Sequence, residues 1–129
     1  MIMELITKLA WALLALIHLS PAAVFFLPHL TKKLYGIDAN GDLGVLITHR
    51  GALFIAIFAA CVAGALDPTA RRALSVVVAI SVVSFLWLYF RAGMPSGPLK
   101  TIALVDLVGL APLLLVVWSA WRFGANQAV

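Results

Sequence analysis

The stretch ALSVVVAISVVSFLWLYF, residues 73–90, decides the fold. It carries no charge and no strict alternation of polar and apolar positions, and its length is close to the ~20 residues that let a helix cross a bilayer core. Working outward, three more runs of this kind cover 9–28, 48–66 and 102–121. Inside hydrocarbon every backbone N–H and C=O must be satisfied within the protein, so runs rich in Ala, Leu and Val without a period of two predict helices. The expectation is an all-α integral membrane four-helix bundle with short loops, one domain over 1–129.

Composition agrees. Of 129 residues, 64% are hydrophobic and 11% charged, too few polar side chains to cover a small water-soluble domain. Nine Lys and Arg against five Asp and Glu leave a net charge of +4, but the basic residues flank the apolar runs, where they meet headgroups; nucleic acid is not a predicted partner. Cys61 is the only cysteine, which excludes an intrachain disulfide, a CxxC pair and a thiolate zinc site.

The breaks between runs carry turn chemistry. Asp67-Pro68 closes the second run, and Gly93, Pro95, Gly97 and Pro98 join the third to the fourth. The longest connection holds Tyr35-Gly36 and Asp38-Ala39-Asn40-Gly41-Asp42, read as an interfacial turn; its acidic spacing lacks the downstream carboxylate of a calcium loop. Lys8 before the first run and Ser20-Pro21-Ala22-Ala23 within it raise a cleaved signal, but the apolar run continues to Leu27 and is expected to be retained.

Four crossings put both termini on one face, A, with Arg71 and Arg72; the two longer loops form face B. Lys and Arg are nearly balanced between the faces, and the amino terminus tips the expectation towards cytoplasmic termini. Trp11, Trp118 and Trp121 at face A and Tyr35, Trp87 and Tyr89 at face B read as an aromatic belt. Ala52, Ala56, Ala60 and Gly64 form a small-residue face predicted to turn to the bundle centre, with His49 near its middle and Arg50 roughly 110° away.

Polar residues within the runs are the site candidates: His18, His49, Arg50, Ser81, Ser84 and Asp106. Helices one and three end at face B, and two and four start there, so these groups gather in the B-facing half. An ionisable group at such depth costs about 2–3 kcal/mol, so it needs a partner, water or neutralisation. The sharper reading pairs Asp106 with Arg50 or His49 in a polar pocket with His18 and the serines. The plainer one makes Asp106 a helix cap and lets Arg50 snorkel to phosphate. No cofactor or metal is predicted; haem and a quinone are the groups weighed, and the depths of His18, His49 and His29 do not suit a bis-histidine haem. A serine triad has no supporting elbow motif.

Leu34-Tyr35-Gly36-Ile37 after helix one, His49-Arg50-Gly51 entering helix two and Asp67-Pro68 in the tight turn resemble the DoxX-like family of small bacterial integral membrane proteins. The resemblance implies the bacterial inner membrane and an accessory role in membrane redox or respiratory assemblies, and hands over no catalytic residue. The reading is a non-enzymatic multi-pass membrane protein, an accessory subunit or a binder of a lipid-soluble molecule in the B-side pocket, its partners the bilayer and a membrane complex or further copies of itself. The alternatives are a proton-dependent transporter and a small isomerase or quinone-reacting enzyme using Asp106 and His18.

Overall fold

Lipid as solvent makes helix length the first constraint, and the computed structural model meets it. It describes residues 1–124, with side chains through Arg122; the last residues of the expected 1–129 domain lie outside that range. The elements are α1 (Ile2–Ala23), a short α2 (Leu30–Tyr35), α3 (Gly41–Leu66), a 3-10 turn (Pro68–Ala70), α4 (Arg71–Arg91) and α5 (Leu99–Gly124). Among the described residues there is no strand, and four helices are long and apolar enough to cross a membrane. The chain is a small multi-pass membrane protein built as a four-helix bundle.

The helices outrun the apolar runs. The first begins at Ile2 and ends at Ala23, where 9–28 was expected. Its start includes Glu4 and Lys8, which form an i,i+4 pair at 3.7 Å and can stand at headgroup depth. Its end follows Pro21, which cannot donate to Ile17, and the chain turns before Pro28. His29 therefore lies at the N-cap of α2 rather than at the end of the first span. Gly36, at φ 70°, closes α2 in the left-handed region that glycine tolerates, its N–H bonding the carbonyl of Lys32 at 2.9 Å. The Asp38–Asp42 turn becomes the entry to α3, with Asn40 extended at the N-cap and Asp42 in the first turn, where it complements the helix dipole.

At face A three helices are knotted by polar bonds. Arg71, 6% exposed, sends Nη1 and Nη2 to the two oxygens of Glu4, both at 2.8 Å, and Nε to the carbonyl of Gly64 at 2.8 Å. A nearby buried contact links α1 to α5: Thr7 donates to the carbonyl of Met3, so the Ser119 hydroxyl donates to Thr7 at 3.3 Å. In the tight turn Asp67 Oδ1 accepts from the hydroxyl and backbone N–H of Thr69, and these bonds hold its carboxyl below the usual carboxylate range.

Two packing expectations are corrected. The face that α3 turns inward carries Gly44, Gly51, Cys61 and Gly64, while Ala56 and Ala59 face outward. The glycines decide this because only they let backbone or ring in. A Cβ on Gly51 would stand 2.8 Å from the backbone nitrogen of Phe25, and one on Gly64 2.6 Å from the Trp11 indole. Alanines meet lipid at no cost, since hydrocarbon is as apolar as they are. Trp11 is accordingly no interfacial anchor: it is fully buried in the core between α1 and α3, its Nε1 without a hydrogen-bond partner. Tyr35 and Tyr89 are buried as well, Tyr89 donating to the carbonyl of Pro95 at 2.9 Å, whereas Trp87, Trp118 and Trp121 remain on the surface as a belt requires.

Gly64→Ala forces the Trp11 ring to move and lowers stability by about 1–3 kcal/mol. Gly97→Ala, where nothing stands within 4 Å, leaves it unchanged by comparison. Thermal unfolding of the two variants in detergent measures the difference.

Candidate functional site

All five helices border one cavity of about 130 Å3 in the B-facing half. It lies where the last turns of α1, the short α2 and the first turns of α5 come together with α3 and α4. Helix α1 supplies His18 and Pro21, α2 Tyr35, α3 Arg50 and Phe54, α4 Ser81 and Phe85, and α5 Thr101 and Asp106. Four of the six sequence candidates, His18, Arg50, Ser81 and Asp106, are thus brought together.

The other two are not. His49 faces outward on α3, because the inward face is the glycine stripe and Arg50, not His49, follows it into the bundle. Ser84 is exposed and donates to the carbonyl of Ser81 at 3.2 Å, a bond within its own helix.

Arg50 neither snorkels free, as the plainer reading has it, nor forms the ion pair of the sharper one. Its guanidinium is caged by three rings, 5.2 Å from the centroid of Tyr35, 5.0 Å from Phe54 and 5.9 Å from Phe85. Phe54 stands one turn on from Arg50, and Phe85 one turn on from Ser81, so both pairs share a helix face. That i,i+4 spacing is the signal that could have found the cage in the sequence. Tyr35, which sequence reasoning placed as a belt anchor, is the third wall; burial pushes its hydroxyl above the usual tyrosine range, against the pull of nearby Arg50.

Among the described residues no carboxylate oxygen lies within 4.0 Å of Arg50, and none of its N–H groups makes a hydrogen bond. Asp106 is 9% exposed, lines the same cavity and likewise has no hydrogen-bond partner there. It is inside α5, beyond the first turn, and so is not a cap. His18, 2% exposed, has Nδ1 2.7 Å from the carbonyl of Leu14 and its ring 5.9 Å from that of Phe54. A carbonyl only accepts, so Nδ1 carries the proton and Nε2 is the nitrogen left for the cavity.

The space holds about four waters at roughly 30 Å3 each, or one ring-sized head group. His18 is, among the described residues, the one histidine lining it. Among the described residues no cluster of three His, Cys, Asp or Glu could hold a metal ion. No family model matches the chain, and neither a curated protein nor a solved structure matches it. The site's chemistry therefore has to be argued from its own residues.

Asp106 makes no hydrogen bond within the protein that an amide would lose, so Asp106→Asn leaves the unfolding midpoint unchanged or raises it. In a double-mutant cycle with Arg50→Gln the coupling stays below about 1 kcal/mol, less than a hydrogen-bonded buried pair gives.

Proposed function

We propose that the protein binds the polar head of a lipid-soluble small molecule in the cavity between His18, Arg50 and Asp106. The observation that carries this is a caged guanidinium and a carboxylate on one cavity, neither of them hydrogen-bonded within the protein. A fold that needed these residues only for packing would gain from replacing them by apolar ones. Exposed Ser20 and Thr101 line the cavity near the ends of α1 and α5, which suits entry of an amphipathic molecule from the B-side leaflet. The tail would stay in lipid, because the cavity accommodates the head alone.

The test is mass spectrometry of small molecules that co-purify with the full chain in mild detergent. A specific lipid-soluble compound retained by the wild type and reduced about tenfold by Arg50→Gln supports the reading, that being the usual worth of a charged hydrogen bond. Equal retention by both proteins contradicts it.

A second reading, an accessory subunit in a membrane assembly of the kind the DoxX-like resemblance implies, is favoured by one observation. Of the four spanning helices α3 buries the smallest share of its apolar length, and it turns His49, Ala56 and Ala59 away from the bundle. A small-residue face lets a neighbouring backbone approach, and an imidazole at that depth gains from a partner. Ala56→Trp therefore disrupts any association of the protein in bilayers while leaving the fold of the single chain intact, measured by cross-linking and circular dichroism respectively.

A further inference from the structure

The cavity's polar groups divide sharply by what they can do in a hydrogen bond. Arg50 has donors only, five N–H bonds on a fixed charge, and the rings of Tyr35, Phe54 and Phe85 hold its plane without satisfying those donors. Opposite in kind stand two proton acceptors, the carboxylate of Asp106 and Nε2 of His18, whose Nδ1 is committed to Leu14. From α4 the cavity receives Ser81 and Phe85, which carry no charge, so the titratable and charged groups facing Asp106 are His18 from α1, Tyr35 from α2 and Arg50 from α3.

Each simple head group leaves one side unmet. A carboxylate or phosphate satisfies Arg50 but, already ionised in water, arrives without a proton for Asp106 and so brings it a second negative charge. A ketone gives Arg50 an acceptor and offers Asp106 nothing. An aliphatic alcohol can donate to Asp106, yet holds its proton too tightly to give Arg50 an anion. A weakly acidic hydroxyl on a flat conjugated carbon answers both sides, and its flatness suits a space walled by aromatic rings.

On the binding reading above, we propose that the cavity takes lipid-soluble phenols or enols as their oxyanions, with Arg50 holding the oxygen and Asp106 receiving the proton. The ligand's O–H bond breaks with its electron pair left on oxygen, and an O–H bond forms on the Asp106 carboxyl. The total charge of the site and ligand is unchanged by the transfer, and no oxidant or reductant is involved. The product state replaces two separated charges with one ion pair and one neutral acid, the arrangement that low-dielectric surroundings favour.

The experiment uses the full chain in phosphatidylcholine vesicles with a heptyl-substituted nitrophenol, whose phenolate is coloured, and with its O-methyl ether, which can neither donate nor ionise. Calorimetry measures binding of each, and absorbance measures ionisation against pH. The proposal expects saturable binding of the phenol, an ether at least about tenfold weaker, and bound phenol titrating at least about one pH unit below its value in protein-free vesicles, equivalent to a tenfold preference for the anion. Arg50→Gln abolishes the downward shift. The comparison of phenol with ether needs the wild type alone, so it stands even where the variant fails to fold. Ether binding as tightly as phenol, or phenol bound in its protonated form, overturns the oxyanion proposal and leaves the binding reading standing. Saturable binding of neither compound overturns the oxyanion proposal, and the binding reading then stands or falls on the co-purification test.

Discussion

A charge carried into hydrocarbon must be answered by another group in the protein, and the two ends of this bundle answer it differently. At face A the buried Arg71 spends its three donor nitrogens on Glu4 and on the carbonyl of Gly64, tying α1, α3 and α4 together. Breaking such a buried set leaves an uncompensated charge, which is why it serves as a clasp. At face B Arg50 and Asp106 share a cavity without touching, and aromatic rings rather than carboxylates surround the cation. One arginine is structural because it is paired; the other is available because it is not.

The contrast also explains the shape of the bundle. Close approach to α3 runs from Trp11 of α1 over Gly64 to Phe25, just past the end of α1, over Gly51. The cavity lies beside the last turns of α1, at residues 17–21, where Leu34 and Tyr35 of the short α2 also reach it. The proline that costs α1 a hydrogen bond lines this cavity, and three rings surround its arginine.

The spans were legible in the sequence because the bilayer imposes a length and forbids unsatisfied backbone, and both leave plain marks in runs such as 73–90. Helix ends were less so: Glu4 and Lys8 look like a flank, yet they belong to α1 because an i,i+4 pair and Arg71 stabilise that first turn. The site was half legible. Helix direction and depth were enough to gather His18, Arg50, Ser81 and Asp106 at one end. They put His49 rather than Arg50 on the inward face, wrongly, since the choice follows from glycine contacts with Phe25 and Trp11 that exist only in the packed bundle. The aromatic cage was missed for a related reason: Tyr35 arrives on a separate short helix that hydropathy reads as loop.

The central claim is that the cation and the carboxylate of the B-side cavity are separate in the empty protein and so free to engage a ligand. Solid-state NMR dipolar recoupling between the guanidinium nitrogens of Arg50 and the carboxyl carbon of Asp106, in ligand-free bilayers, addresses it directly. The account predicts a coupling too weak for ion-pair contact; a coupling at contact distance would show a closed salt bridge and contradict it.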